Sequence, residues 1–182
     1  MGKPKVASEY IVSRLQKNCA ETVEMLENIK SALVKLRYEG KPSFGKNIKK
    51  TKGMLKFFNQ ELIRHSELEE KILFPFIKSH FPKLELKVHL LEMENEDFKK
   101  NVLRFSFLLN QTQKKNSGDR YGEWAQQVND TGMYLAYLLR HHLKARSKCI
   151  DKVIERELRE DEKRELGNRV SHLILNASSD IS

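Results

Sequence analysis

The stretch Leu55–Phe76, LKFFNQELIRHSELEEKILFPF, decides the fold. Leu55, Phe58, Leu62, Leu68, Ile72 and Phe76 recur at helical spacing, which marks one apolar side of an amphipathic helix and not the alternation of a strand. The spacing predicts a helix from about Ile48 to Ser79, kinked near its end by Pro75, whose ring removes a backbone donor. His65 continues the three- and four-residue steps from Phe58 through Leu62, and Glu69 follows one turn later. An imidazole and a carboxylate therefore share a face otherwise made of hydrocarbon.

The same periodicity extends to both sides of this segment. A first helix is predicted over residues 7 to 38, with Val12, Leu15, Val23, Leu26, Ile29 and Leu33 on one stripe, ending before Gly40-Lys41-Pro42. After Phe81-Pro82 a third runs from about Lys83 to Gln113 on Leu84, Val88, Leu91, Phe98, Val102 and Phe105. A loop containing Asn116-Ser117-Gly118 leads to a fourth, from about Tyr121 to at least Val153, carrying Trp124, Val128, Leu135 and Leu138. Asp161 is the expected N-cap of a shorter closing helix with Leu166, Val170, Leu173 and Ile174. Long helices and short connections imply an all-α, up-down-up-down four-helix bundle with a short closing C-terminal helix, residues 1–182 forming one domain.

Composition narrows the setting. The 182 residues include 8 Gly and 4 Pro and lack any apolar run of membrane-spanning length, so no membrane partner is expected. The N-terminus MGKPKVASEY has no apolar secretion signal, and Cys19 and Cys149 are far apart, so a cytoplasmic protein without an intramolecular disulfide is expected. The net charge of +9 suits either a solvated helical surface or a polyanionic partner. Its densest acid-free cluster is Lys41, Lys46, Lys49, Lys50 and Lys52, where Phe44 alone offers no stacking platform. Any nucleic-acid binding there would be non-specific and salt-dependent.

Polar residues on apolar stripes mark the candidate site, because burying them is costly unless they are paired or liganded. Cys19 stands midway between Leu15 and Val23, Asn95 between Leu91 and Phe98, and His142 four residues after Leu138. With His65 and Glu69 they point to the bundle axis. The H-x-x-x-E spacing lets one helix grip a metal from two positions.

HSELEEKILFP, residues 65 to 75, resembles the second-helix signature of the hemerythrin-like family, the HHE cation-binding domain. LLRHHLKARSKCIDKVIERELREDEKRELGNRV resembles that family's fourth helix and closing segment. The resemblance implies four antiparallel helices around a non-haem di-iron centre, with histidines from all four helices and glutamates from the second and fourth. It places family ligands on His65, Glu69 and His142, with His141 pointing away. Cys19, Asn95 and Arg146 stand where the family has histidine, histidine and glutamate.

Two functions follow from that departure. In one, the protein is a cation-binding module for dioxygen, nitric oxide or iron sensing or storage with a depleted site, holding iron or zinc through Cys19, His65, Glu69 and His142. In the other, Arg146 pairs with Glu69 in the metal's place, and a metal-free bundle engages an acidic partner or nucleic acid. Neither is an enzyme, since no nucleophile set or phosphate loop can be assembled. His80, His89 and His172 read as peripheral, and Phe105, Phe107, Tyr121 and Trp124 as core and loop-anchoring aromatics.

Overall fold

The computed structural model describes residues 24, 25, 27–38, 44–111 and 120–179. Residues 27–38 form α1. The second rod, α2, is built from α-helical Phe44–Phe57, Ile63–Leu68 and Phe74–His80, joined by π-helical turns Phe58–Leu62 and Glu69–Leu73. A short 3₁₀ turn, Pro82–Leu84, leads into α3, Glu85–Asn110. The fourth rod, α4, joins Arg120–Arg146 to Lys152–Arg156 through a π turn at Ser147–Asp151, and α5 is Glu160–Ser179. The described residues contain no strand, so the all-α expectation holds.

Side-chain pairs fix the directions of the rods. Glu27 meets Arg140, Leu33 lies against Gly132, and the Leu36 carbonyl accepts from the Tyr121 hydroxyl, so α1 and α4 run in opposite senses. Lys78 donates to Glu92 at 2.7 Å and Lys99 to Glu70 at 2.6 Å, which sets α2 against α3 the same way. Trp124 Nε1 donates to the Leu108 carbonyl at 2.9 Å, while Tyr134 reaches Asp97 at 2.7 Å, so α3 and α4 are antiparallel too.

The apolar interior falls into two clusters. Ile29, Leu33, Phe58, Phe98, Phe105 and Val128 belong to the first, formed by α1 to α4. Phe74, Ile77, Val88, Ile154, Leu166 and Val170 belong to the second, where α5 closes the opposite end. Acids at Glu160, Asp161 and Glu162 suit the positive N-terminal end of α5. The expected cap at Asp161 is corrected: α5 begins at Glu160, and the Glu162 carboxylate accepts the Arg159 backbone N–H at 2.8 Å.

Three further details differ from the sequence reading. Because each π turn holds an extra residue, the buried line of α2 passes from Leu62 to Ser66, Glu69 and Leu73, leaving His65 and Ile72 half-buried at its edge. Pro75 is accommodated directly after the π turn, where the Phe74 N–H reaches back to the Glu69 carbonyl. Phe107, expected in the core, is 64% exposed, because its position on α3 faces away from the other rods. No described helix is long and apolar enough to cross a membrane. Cys19 lies outside the described residues, and Cys149 is a free, half-buried thiol.

Gly132 of α4 packs against Leu33 of α1 and Phe105 of α3: a Cβ there would lie 2.6 Å from Leu33 Cδ1 and 3.1 Å from Phe105 Cε2. A Cβ at Gly53, inside α2, would meet nothing within 4 Å. Gly132→Val is expected to cost about 1–3 kcal/mol through overpacking. Gly53→Ala should stabilise by up to about 1 kcal/mol through helix propensity. Urea denaturation midpoints of the two variants should move in opposite directions from the parent.

Candidate metal centre

Between the two apolar clusters lies a layer of polar side chains, each supplied by an apolar stripe that changes character at one position. Glu69 comes from the second π turn of α2, Asn95 from the middle of α3, and His142 and Arg146 from successive turns of α4. Glu69 and Arg146 are both fully buried, with side-chain exposures of 0%. The guanidinium is among the largest side chains so enclosed in the described structure.

Glu69 is the hub. Arg146 Nη1 donates to its Oε1 at 2.9 Å, and His65 Nε2 lies 3.1 Å from the same oxygen while also touching Arg146 Nη1. His142 Nε2 and Asn95 Nδ2 approach Oε2 at 3.0 Å and 3.1 Å. Both carboxylate oxygens are thus engaged by two partners each. Burial alone would push the Glu69 carboxyl up, but the charges and hydrogen bonds of His142 and His65 overcome it and hold the group well below the usual carboxylate range.

A second row of contacts fixes the first. Ser66 Oγ donates to the Leu62 carbonyl at 3.1 Å and approaches Asn95 Oδ1 at 3.4 Å, which turns the amide's NH₂ toward Glu69. Glu94 bridges the paired histidines, with Oε1 2.7 Å from His141 Nδ1 and Oε2 3.2 Å from His142 Nδ1. Asp151 Oδ1 lies 3.4 Å from Arg146 Nε, so the guanidinium stands between two carboxylates. Burial raises the Asp151 carboxyl above its ordinary value, with Arg146 opposing that rise.

The structure thus brings together His65, Glu69, His142, Asn95 and Arg146. His142 and Asn95 share one acceptor, Glu69 Oε2. His141 is exposed yet tied to Glu94, while His89 is largely exposed and His80 stacks on Phe76. Glu94, Ser66 and Asp151 escaped the sequence reading. Glu94 adjoins the α3 stripe without lying on it, and Ser66 enters only because of the π turn. Asp151 carried a visible signal, an acid inside the apolar run Cys149-Ile150-Asp151-Lys152-Val153-Ile154.

The arrangement does not fit a di-iron centre. Arg146, which the resemblance sets in place of a fourth-helix glutamate, donates to Glu69 Oε1, so that oxygen is already engaged by a cation of the chain. A dication about 4 Å from that guanidinium would meet a repulsion of about 8 kcal/mol at an effective dielectric of about 20. Among the described residues no three His, Cys, Asp or Glu side chains are placed to hold a metal ion together. The adjoining cavity, lined by Leu62, Ser66, Phe98, Leu139 and His142 among others, measures about 10 Å³, space for one water.

Comparison with known families gives a match to the model described as the hemerythrin HHE cation binding domain, over residues 11–153. No curated protein and no solved structure matches the chain.

His142 supplies a measurable signature of the site. Both ring nitrogens face carboxylates, so only the doubly protonated ring donates to each. Burial pushes this imidazole down, but Glu69 and Glu94 outweigh it and raise the group from 6.5 to about 9. Between those values the folded chain keeps a proton that the unfolded chain has lost, so stability is complete below pH 6.5 and falls as pH rises through about 9. The loss should be on the order of 3 kcal/mol, read as a falling urea midpoint, and His142→Gln should largely abolish the dependence.

Proposed function

The chain belongs to the hemerythrin HHE cation-binding domain family, and from that premise we propose that it is a metal-independent member, in which Arg146 supplies the positive charge at the family's cation site. In this reading the protein is a binding or regulatory module and not an oxygen carrier or an enzyme. One observation carries it: the fully buried Arg146 guanidinium bonds Glu69 at 2.9 Å with Asp151 on its other side. Buried ions are tolerated when paired and hydrogen-bonded, and here the pairing comes from within the chain. Asn95, neutral and turned to donate, supports the same reading, since a histidine ligand would present a lone pair to a metal.

A second reading retains one metal ion for dioxygen, nitric oxide or iron sensing or storage. Its support is that His65, Glu69 and His142 still converge from two rods. It requires Arg146 to withdraw from Glu69, and Cys19 to complete the donors. The basic surface bears on partners in either case: Lys46, Lys49 and Lys50 are exposed on the first turns of α2, where an acidic protein or nucleic acid would meet them.

Metal analysis and thermal denaturation separate the readings. Protein purified from iron-supplemented cells should carry iron and zinc far below one equivalent, and a chelator should leave Tm unchanged. Glu69→Ala should cost about 3–5 kcal/mol, because it strands Arg146 in the core. A Tm that falls on chelation and returns with added metal would establish the second reading instead. The triple variant Cys19→His, Asn95→His, Arg146→Glu should gain ferrous iron binding that the parent lacks. A folded triple variant without iron affinity would mean that these positions do not correspond to the family's ligands.

A further inference from the structure

α3 carries a second apolar line on the side turned away from the bundle. Leu86, Leu90, Met93, Leu103 and Phe107 are between 53% and 71% exposed. Among the described residues these are five of the nine exposed large hydrophobics, so exposure of this kind concentrates on one helix. Scattered apolar residues on a surface require no explanation, but a continuous line along one helix marks an interaction surface.

The spacing of the line says what kind of surface it is. With Lys100 included, the steps from Leu86 to Phe107 are four, three, seven, three and four residues. The average period is that of a coiled-coil seam, which keeps facing one partner helix instead of drifting around its own. The order of steps also reads the same from either end, about a midpoint between Glu96 and Asp97. A second α3 laid antiparallel across that midpoint places Leu86 opposite Phe107, Leu90 opposite Leu103 and Met93 opposite the aliphatic stem of Lys100. A two-fold interface needs such self-complementarity, in which each residue meets its counterpart reciprocally.

Charge selects the same orientation. Up to that midpoint α3 carries Glu85, Glu92, Glu94 and Glu96 against the single lysine Lys87, whereas beyond it come Lys99, Lys100 and Arg104 against the single acid Asp97. Antiparallel pairing sets the acidic half on the basic half, while parallel pairing would set like on like. At the centre Lys100 already bonds Glu96 of its own helix at 2.9 Å with both side chains about two-thirds exposed, leaving the pair able to reach its symmetry mate. Tyr134 and Tyr137 on α4 widen the face, with the Tyr134 hydroxyl anchored to Asp97 near the midpoint. The line from Leu86 to Phe107 is about 32 Å long at 1.5 Å per residue.

We propose that the outer face of α3 is a self-association surface, through which two copies of this chain pair antiparallel about the Glu96–Asp97 midpoint. The surface is separate from the buried polar layer and operates whether or not that layer holds a cation.

Light scattering coupled to size exclusion and sedimentation equilibrium on the full chain test this. The parent should be a dimer over micromolar to submillimolar concentrations. Leu90→Glu and Leu103→Lys, both at exposed positions, should each raise the dissociation constant more than about tenfold while leaving the circular dichroism unchanged. An equimolar mixture of the two variants should regain a dimer, because Glu at position 90 then faces Lys at position 103 across one contact and the parental leucines meet across the other. A parent that stays monomeric throughout, a dimer that tolerates both changes, or a mixture that associates no better than either variant alone would overturn the proposal. The milder Leu90→Ala and Leu103→Ala provide the same comparison should a charged variant fold poorly, each weakening the dimer.

Discussion

A guanidinium removed from water must find anions and acceptors in the protein, because its charge cannot be shed by deprotonation at any ordinary pH. Arg146 is that group, and the polar layer is organised around satisfying it. Glu69 approaches from α2 and Asp151 from the next turn of α4. Glu69 in turn draws in His142 and Asn95, and His142 draws in Glu94. Together these links join α2 to α4, α2 to α3 and α3 to α4, so the network sets the relative heights of the three rods more strictly than hydrocarbon packing would. Apolar contacts are non-directional and tolerate sliding, whereas a carboxylate with four assigned partners does not.

The layer divides the interior. One apolar cluster lies on the α1 side and another beneath α5, with the charged network between them. The π turns serve this division: two on α2 and one on α4 each add a residue, and Glu69 and Asp151 both belong to such turns. An added residue rotates the following stripe, bringing Ser66 and Glu69 inward and moving His65 to the rim. Local helical geometry therefore determines which polar atoms meet, and through them what the layer can hold. On the proposed reading, a cation that is covalently part of the chain keeps the site's charge balance without depending on metal supply.

α3 has two working faces. Val88, Leu91, Phe98, Val102 and Phe105 line the inner one, all buried. The outer one, from Leu86 to Phe107, has coiled-coil spacing and is exposed at Leu86, Leu90, Met93, Leu103 and Phe107. A helix apolar on opposite sides is stable in water only if both are covered or the exposed one is tolerated, which ties this rod's sequence to association as well as to folding.

The helical class, the four rods and the inward positions of Glu69, Asn95 and His142 were legible in the sequence, because burial imposes a period that residue spacing records directly. The opposition of Arg146 to Glu69 was legible through the family resemblance, which sets a lone cation where a carboxylate belongs. The one-residue shift of α2 was not legible: a π turn changes hydrogen bonding without any change of composition, so the inward place of Ser66 and the marginal one of His65 depend on tertiary packing. Nor was Glu94, whose role arises from distances between rods that linear spacing does not encode, whereas Asp151 showed as an acid within an apolar run. The sequence by itself determined that Glu69, Asn95 and His142 face the axis. Only the folded bundle decided that a guanidinium, two carboxylates and an imidazolium close upon one another there, because that outcome depends on the rods' relative heights, and the buried charges themselves help to set those heights.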